Sequence, residues 1–325
     1  MSDNEKQLCA YFNKQNGLML YSGTLCLEYA LRLVKANKRK VIIPNNVCYS
    51  VLSSVLQVGG IPVLIEPENG FVLSVDDIKR LKQRDDIDIA IIVHYLGIKA
   101  DLRSIRSEYP DFIIIEDCAQ FFPDKGTLND IGIYSDYVIT SFGKSKLLGY
   151  GIGGMIFSNY DLDHYIIKNY VEAREYEELA YPYSLPESFK PPVSKLIEIA
   201  RTRIEKQRKI ASLFMSIFEK IKTCCLVCER ESLSLFSWNR FPVCVCTKES
   251  FEIVVKTAKE NGILFQLPHE KMLQELSILS SREYYYVPSI KPSEMYYIFF
   301  RTKENDMERL LKWKKILLGI FKNNI

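Results

Sequence analysis

The chain has 325 residues, of which 47% are hydrophobic and 26% charged, an ordinary composition for a globular protein of one or two domains. Its 43 lysines and arginines against 40 aspartates and glutamates leave a formal charge of +3, with the two signs interspersed. These values exclude a largely disordered chain and do not imply nucleic acid as a partner. No apolar run approaches the ~20 residues of a membrane helix, and the polar start MSDNEKQL does not resemble a signal peptide, so we expect a cytoplasmic protein with no membrane partner.

Short apolar runs alternate with amphipathic segments between residues 40 and 160. The runs are VIIP (41–44), IPVLIEP (61–67), IDIAIIVHYL (87–96), FIIIED (112–117), YVITSF (137–142) and GMIFSN (154–159). Each is rich in isoleucine and valine and apolar on both faces, which is typical of strands covered by helices on both sides. Helical patterns separate several of them, for example at 50–58 and 75–82. Such β-α units predict a mostly parallel sheet.

The rest of the chain has a different pattern. Residues 190–222 have helical spacing with alternating charges and predict one long helix or a bent pair. The segments that follow are a strand at 241–246, a helix stopped by Gly262, a strand at 295–300 and a terminal helix from Met307 to Phe321. We therefore predict an α/β fold with a large domain over residues 1–205 and a smaller C-terminal α+β domain over residues 206–325.

The nine cysteines do not indicate a disulfide framework. Their number is odd and most lie in apolar runs, which is typical of free thiols in a reducing compartment. Two pairs, Cys225-x2-Cys228 and Cys244-x-Cys246, resemble the halves of a zinc site. The second pair lies in a strand pattern, however, and its spacing suits a tetrahedral metal poorly. Buried strand thiols are the favoured interpretation, and we predict no metal site.

Open α/β sheets bind ligands in the loops after the carboxyl ends of their strands, and three of these loops contain candidate groups. The segment YSGT (21–24) opens a helix, whose free N–H groups and dipole favour an anion; simple N-capping is the alternative. Asp117 ends a strand, a position where aspartates commonly form caps or turns. Lys146 lies in the glycine-rich stretch SFGKSKLLGYGIGG (141–154), where a lysine is commonly solvated.

An anion site, a strand-end carboxylate and a loop lysine together are what pyridoxal phosphate requires. Its phosphate binds a helix N-terminus and its aldehyde forms an imine with a lysine. Its ring nitrogen must stay protonated, which a buried carboxylate secures by ion pairing. The residue types therefore favour a pyridoxal-phosphate protein, although Lys144 and Lys146 both remain candidates for the reactive amine at this point.

Seven sequence blocks in order make the match more specific. They are SGT (22–24), VIIP (41–44), GGIPVLIE (59–66), VHxxGxxAD (93–101), IEDxAQ (115–120), GTLNDIGIYS (126–135) and SFxxxK (141–146) followed by GxGG (151–154). With these blocks the chain resembles the DegT/DnrJ/EryC1/StrS family of pyridoxal-phosphate enzymes of fold type I, best known as aminotransferases acting on nucleotide-linked keto sugars. The match spans roughly residues 18–160, and the C-terminal elements fit the family only in outline.

The resemblance implies roles for individual residues. Lys146, at the family spacing of serine plus five, would form the imine with the cofactor and then carry a proton between substrate and cofactor, whereas Lys144 stands where the family is variable. Asp117 would pair with the pyridinium nitrogen, and Gln120 would contact the ring hydroxyl. The residues implied at the phosphate are Gly23, Thr24, the Leu25 amide and Ser141.

The chain departs from the family in the substrate-facing half. Four residues after Pro44 the family usually has an aromatic side chain that stacks on the cofactor ring, whereas this chain has Cys48 followed by Tyr49; either the thiol packs there or Tyr49 takes over. The polar segment that the family sends into the neighbouring subunit is replaced by a proline-studded stretch at 181–192. His94 invites a catalytic interpretation, but a structural role in shaping its loop is favoured.

Three hypotheses follow for function. The first is an aminotransferase that moves the amino group of an amino acid such as glutamate to a keto or aldehyde acceptor, which the resemblance implies is a nucleotide-linked sugar for a polysaccharide or secondary metabolite. The second is another pyridoxal-phosphate reaction, such as elimination, dehydration or condensation. The third is a regulatory protein that binds the cofactor without turnover, which the intact Lys146 and Asp117 disfavour. The resemblance also implies a homodimer.

Overall fold

The computed structural model describes residues 3–81, 86–123, 130–162, 185, 190–226, 228–269, 271–290 and 295–322. The chain forms two compact units. The first comprises Met1–Tyr95, Ala100–Ala200 and Lys271–Ser289, and the second comprises Leu96–Lys99, Arg201–Glu270 and Ile290–Ile325. A separate sheet lies in each unit, and the predicted division into domains at residues 205 and 206 stays a prediction.

The strands of the described ranges, in chain order, are β1 (Asn16–Leu20), β2 (Lys40–Pro44), β3 (Ile61–Ile65), β4 (Ile87–Val93), β5 (Ile113–Asp117), β6 (Tyr137–Ser141), β7 (Gly154–Ser158), β8 (Cys224–Leu226), β9 (Arg240–Val245), β10 (Phe265–Gln266), β11 (Tyr285–Val287) and β12 (Tyr296–Arg301). The larger sheet has the order β1-β7-β6-β5-β4-β2-β3-β11, and the smaller has the order β10-β12-β9-β8. In the larger sheet only the pairings of β7, with β1 and with β6, are antiparallel. The predicted α/β fold with a mostly parallel sheet is confirmed.

The helices of the same ranges are α1 (Asp3–Tyr11), α2 (Gly23–Leu33), α3 (Tyr49–Gln57), α4 (Val75–Lys79), α5 (Leu102–Glu108), α6 (Val193–Phe218), α7 (Lys248–Glu260) and α8 (Met307–Ile320). The pattern at 190–222 forms one helix, α6, rather than a bent pair. Within the described ranges, no helix combines the length and the apolar character that a membrane span requires. The stretch 126–129 and most of the proline-studded stretch 181–192 lie outside the described residues.

The central strands of the larger sheet are buried along consecutive residues. Residues 89–92 of β4 and 41–43 of β2 have no exposed surface. A strand covered on one face exposes every second side chain, so unbroken burial is typical of strands covered on both faces. Burial of each isoleucine or valine side chain contributes about 1.5–3 kcal/mol. This explains why the apolar runs predicted these strands so well.

The second unit has an aromatic core on its four-stranded sheet. The Phe214 ring of α6 stacks on Phe300 of β12 at 4.7 Å between centroids, and Phe218 meets Trp313 of α8 edge-on at 6.0 Å. All four of these side chains have no exposed surface. Helix α7 ends at Glu260, and Gly262 has a φ of +64°, as expected of the glycine that stops a helix.

The interpretation of the C-terminal cysteines as buried strand thiols is confirmed for Cys244 and wrong for Cys246. Cys244 lies inside β9 and is buried, whereas Cys246 follows the last residue of that strand and is exposed. Cys225, in the short strand β8, is exposed as well, and Cys228 is half-buried. Cys244 and Cys246, two residues apart, share one face of the sheet, but burial of that face ends where β9 ends.

Candidate active site

A pocket opens at the edge of the larger sheet where strands β2, β5 and β6 have their carboxyl ends. Strand β1 is antiparallel to β7, which is antiparallel to β6, so β1 also ends at this edge. The pocket has a volume of about 110 Å³. Seven of the eight residues predicted to bind the cofactor line it: Gly23, Thr24, Cys48, Asp117, Gln120, Ser141 and Lys146. The sequence blocks, up to 123 positions apart, thus converge on one place.

The first turn of α2 forms one end of the pocket. Ser22 is the N-cap residue, and its Oγ accepts a hydrogen bond from the Leu25 N–H at 3.1 Å. Leu25 does not line the pocket, and its predicted contact with the phosphate stays a prediction. In this structure the Leu25 N–H donates to Ser22 instead, so the cap and a phosphate would compete for the same amide. Ser22, Gly23 and Thr24 all line the pocket, with the positive end of the helix dipole beside them.

Two glycines allow α2 to begin close to the sheet. A Cβ on Gly23 would lie 2.9 Å from the Ser141 Cβ, and a Cβ on Gly154 would lie 2.6 Å from the Gly23 backbone nitrogen. Real Cβ atoms do not approach so closely. The small residues therefore bring the helix N-terminus against the ends of β6 and β7, where Ser141 lines the same pocket.

Asp117 ends β5 with its side chain buried at the pocket, 8% exposed. Its Oδ1 accepts a hydrogen bond from the Ala119 N–H at 2.8 Å. Burial raises the pKa of the Asp117 carboxyl above its usual value, against the opposing effects of the Ala119 N–H, the Lys146 ammonium and His94. A carboxylate held in a dry place is stabilised by any cation that reaches it, so this residue is suited to pair with a positively charged group of a ligand.

The two lysines of the glycine-rich stretch have different environments. Lys146 is half-buried and lines the pocket, whereas Lys144 is exposed and does not. The backbone fixes this difference, because the Lys146 N–H donates to the Gly143 carbonyl at 2.8 Å and closes a turn. The geometry favours Lys146 as the reactive amine, in agreement with the spacing of the family block.

The glycines after Lys146 hold this loop in place. The Phe142 N–H donates to the Gly153 carbonyl and the Gly151 N–H to the Phe142 carbonyl, both at 2.8 Å. Gly151 and Gly153 have φ values of +143° and +103°, which other residues rarely adopt. The strand β6, the lysine loop and β7 are thereby joined into one rigid support for Lys146.

Of the two candidates for the face of the cofactor ring, Cys48 is the one that lines the pocket. It is the N-cap residue of α3 and makes no capping hydrogen bond with its side chain. Tyr49 instead is 42% exposed, and its hydroxyl donates to the Lys271 carbonyl at 3.3 Å. This pocket therefore presents a thiol where the family usually presents a ring.

A buried polar network lies behind Asp117 and includes His94 and Glu116. The His94 Nε2 and the Glu116 Oε1 are 2.9 Å apart, and both side chains are at most 1% exposed. The Ala100 N–H donates to His94 Nδ1 at 3.0 Å, so the proton shared with Glu116 is on Nε2. Separately from the ring, the backbone N–H of His94 donates to the backbone carbonyl of Asp117 at 3.1 Å. His94 thus supports the strand end from behind and does not line the pocket, which fits the structural role favoured for it.

The second carboxylate oxygen of Glu116 also has hydrogen-bond donors. Its Oε2 accepts from the Gly132 N–H at 2.8 Å and from the Ser135 hydroxyl at 2.7 Å. Burial by itself would raise the pKa of Glu116, but the hydrogen bonds from His94, Ser135 and Gly132 outweigh it, so the pKa is lowered. Adjacent residues of β5 point to opposite faces, which is why one carboxylate meets the pocket and the next meets this network.

The sequence reasoning missed some of the lining. Ser50, in the first turn of α3, and the apolar side chains of Leu27, Val51 and Ile139 also line the pocket. Ser50 follows Cys48 by two residues, and the start of a helix at a strand end was the available signal. The apolar residues carried no signal, because their patterns are those of ordinary core positions.

Fold and pocket together define a class: α/β proteins with a lysine, a buried aspartate and a helix N-terminus at the carboxyl edge of a mostly parallel sheet. Solved structures share this fold. The sugar aminotransferase CalS13 from Micromonospora echinospora superposes with a TM-score of 0.76 at 16% identity, covering 98% of this chain and 90% of that chain. NtdA from Bacillus subtilis, solved with bound cofactor PMP, superposes with a TM-score of 0.73 at 17% identity, covering 97% of this chain and 76% of that chain. Identities this low establish the fold alone.

The chain belongs to the DegT/DnrJ/EryC1/StrS aminotransferase family, whose model matches residues 2–297. Among curated relatives, the GDP-perosamine synthase of Vibrio cholerae is 26% identical over 162 residues, which are 49% of this chain and 44% of that protein. The GDP-perosamine synthase of Escherichia coli O157:H7 is 27% identical over 142 residues, 42% and 39% of the two chains. The match thus spans less than half the length of these curated relatives. The resemblance inferred from the sequence blocks is confirmed.

Proposed function

We propose that the protein is a pyridoxal-phosphate-dependent aminotransferase that moves an amino group from an amino acid such as glutamate to a nucleotide-linked keto sugar. The observation that carries the proposal is the meeting of Lys146, Asp117 and the N-terminus of α2 in one pocket. Family membership over residues 2–297 supports the reaction class. The names of the curated relatives, GDP-perosamine synthases, support a nucleotide-linked sugar as the acceptor.

The residues of the pocket fit the cofactor. The buried Asp117 carboxyl, whose pKa burial raises, is suited to a protonated ring nitrogen. The close approach that Gly23 permits sets the free N–H groups of α2 beside Ser141, which suits a phosphate. When bound, pyridoxal phosphate supplies an electron sink that makes the hydrogen on the amino-acid carbon acidic.

Lys146 is the group of this chain that is placed to move that hydrogen. Its amine would hold the cofactor and would serve as the base that moves a proton at the amino-acid carbon. The hydrogen-bonded turn at Gly143 and the backbone hydrogen bonds of Gly151 and Gly153 fix the position of the lysine backbone. Asp117 would keep the ring nitrogen protonated, and the backbone N–H of His94 holds the end of β5 through the Asp117 carbonyl.

The half-reaction with an amino acid tests the proposal. Protein saturated with pyridoxal phosphate is mixed with glutamate, and both the absorbance of the imine and the release of 2-oxoglutarate are followed. The proposal predicts loss of the imine band with one 2-oxoglutarate released per site, followed by recovery of the band on addition of a nucleotide-linked keto sugar. Release of ammonia instead of stoichiometric transfer would show elimination or dehydration, and an imine that no amino acid consumes would show a binding protein without turnover.

The same proposal includes where the enzyme acts and its oligomeric state. We expect it to act in the cytoplasm, where pyridoxal phosphate, glutamate and nucleotide sugars occur together, and as a homodimer, as the family resemblance implies. Light scattering of the purified protein checks the second expectation: a mass near 75 kDa, roughly twice the 37.7 kDa of the chain, is expected.

A further inference from the structure

Four sulfur atoms lie on one face of the smaller sheet, and the proposed function uses none of them. Cys225 of β8 is paired with Cys244 of β9, and Cys246 lies two residues further along the same strand direction, so all three point to the same face. The Cys225 and Cys246 Sγ atoms are 3.4 Å apart. The Cys244 Sγ is 3.1 Å from the Met295 Sδ. We refer to these four residues as the sulfur cluster.

The cluster is open to solvent on the side of the close thiol pair. Cys225 and Cys246 are exposed, and Met295 is 48% exposed, whereas Cys244 is buried beneath them. A small ion can therefore reach the pair without any change in the fold. Among the described residues, the Cys244 thiol is not within 4.8 Å of both sulfurs of the pair, so the pair by itself is the candidate site.

The separation of the pair distinguishes a bridging ion from a disulfide. Two metal–sulfur bonds of about 2.3 Å hold the sulfurs about 3.8 Å apart at a tetrahedral angle and about 4.0 Å apart at a trigonal one. A disulfide requires about 2.05 Å. From 3.4 Å, an ion needs an opening of about 0.5 Å and a disulfide a closure of about 1.4 Å.

The register of the strands supports the same choice. Cys225 and Cys246 are diagonal neighbours across the β8–β9 pair. The Cα atoms of such neighbours are about 7–8 Å apart, beyond the range of about 4.4–6.8 Å that disulfides span. Thiolate donors select soft d10 cations rather than hard ones such as Mg²⁺ or Ca²⁺.

We propose that Cys225 and Cys246 form a binding site for one soft d10 cation, Cu⁺ or Zn²⁺. Each of the two thiols loses its proton to solvent as its sulfur binds the ion, and no electrons are transferred. Protons compete with the ion for both sulfurs, so affinity increases with pH. The site is independent of the pocket that contains Lys146.

The test is native mass spectrometry of the full-length protein, fully reduced, with one arm using Zn²⁺ and one using Cu⁺, each buffered by a competing chelator. The proposal predicts one bound ion in at least one arm, with two protons lost per ion. Cys225→Ser and Cys246→Ser should each weaken binding by roughly tenfold or more, since each removes one of two thiolates. Cys228→Ser is the matched control, because it removes a nearby half-buried thiol outside the pair and should leave affinity unchanged.

Three results would overturn the proposal. The first is no bound ion in either arm, and the second is binding that survives both Cys225→Ser and Cys246→Ser. The third is equal weakening by Cys228→Ser, which would place the ion elsewhere among the cysteines. The outcome is separate from that of the proposed transamination, because the readout does not involve pyridoxal phosphate.

Discussion

Asp117 is the residue on which the electrostatics of the pocket depend. Its folded pKa is raised by burial, so its ionised form lowers the stability of the cofactor-free protein at pH values above the unfolded pKa of about 3.9. Asp117→Asn should therefore raise the unfolding temperature of the cofactor-free protein near neutral pH. The same change should lower the transamination rate about 10²–10³-fold, because the ring nitrogen loses its anionic partner.

The two effects of Asp117→Asn are measured by thermal unfolding without cofactor and by the glutamate half-reaction with it. Asp111→Asn is the control, because Asp111 is an exposed aspartate and should change neither value. A cofactor-free Asp117→Asn protein that is less stable than wild type would contradict the assignment of this carboxylate as a strained, buried charge.

The ionised form of Glu116 should stabilise the folded protein, whereas the ionised form of Asp117 destabilises it. Its folded pKa is lowered, so its contribution is fully present above the unfolded pKa of about 4.3 and is lost as the pH falls through the folded pKa. Glu116→Gln leaves buried donors of His94, Ser135 and Gly132 without a full set of acceptors and should cost about 1–3 kcal/mol in the free energy of unfolding at pH 7.

Urea unfolding of Glu116→Gln at pH 7 and below pH 4 checks this prediction, and the difference from wild type should shrink in acid. Glu108→Gln is the matched control, since Glu108 forms an exposed ion pair with Lys79 at 3.3 Å and should cost less than about 1 kcal/mol. Equal losses for both variants, or a loss for Glu116→Gln that does not depend on pH, would refute the buried network as described.

At the residue scale, the sequence predicted which side chains line the pocket better than it predicted which side chains are buried and with which partners. Asp117 and Lys146 could be selected because their spacing within blocks is local information. The partners of Glu116 come from positions 16 and 19 residues further along the chain, and no local pattern predicts them. The exposure of Cys246 was missed for a related reason: it depends on where β9 ends, which neighbouring strands decide.

Among the elements, the first turn of α2 has two functions that can be separated. Ser22 caps the helix and also lines the pocket. Ser22→Ala should cost about 1 kcal/mol of stability and, in addition, weaken the binding of pyridoxal phosphate, because it removes a hydroxyl that lines the pocket at the N-terminus of α2.

Thr247→Ala is the comparison, since Thr247 caps α7 in the same way, with its Oγ1 accepting from the Ser250 N–H at 3.2 Å. It should cost a similar free energy of unfolding and leave cofactor affinity unchanged. Unfolding curves and cofactor titrations of both variants give the answer. If Ser22→Ala kept wild-type affinity for the cofactor, α2 would not be the anion-binding element.

The strands of the larger sheet follow from local pattern with two exceptions, β1 and β11, neither of which was predicted. Strands β2 to β7 match apolar runs because each is buried along consecutive residues. Strand β11 was not predicted: its residues Tyr285–Val287 are exposed or half-buried at the sheet edge, and the strand exists through its parallel pairing with β3. An edge strand of three residues has too few apolar positions for any periodicity to be recognised.

For the whole molecule, cofactor binding should be measurable as stability. A ligand that binds only the folded state adds about 2.7 kcal/mol to the free energy of unfolding at one hundred times its Kd. Pyridoxal phosphate should therefore raise the unfolding temperature of the wild-type protein and of Lys144→Ala to the same extent. Lys146→Ala should gain less, because only the non-covalent contacts of the phosphate and ring remain.

Thermal scans over a range of cofactor concentrations measure these gains. A Lys144→Ala protein that responds less than Lys146→Ala would reverse the roles of the two lysines.

The family-level outline of the whole chain was available from the blocks in its first half, whereas the two-unit arrangement, with residues 271–289 in the first unit, depends on contacts distant in sequence.

The central claim is that Lys146 bonds covalently to pyridoxal phosphate in the pocket shared with Asp117. Reduction of the cofactor-loaded protein with borohydride, followed by peptide mass mapping, tests it most directly, because reduction makes the imine permanent. The account predicts one pyridoxyl group per chain, on Lys146, and none in a Lys146→Ala protein. A pyridoxyl group on Lys144, or no modified lysine in the stretch 141–154, would contradict it.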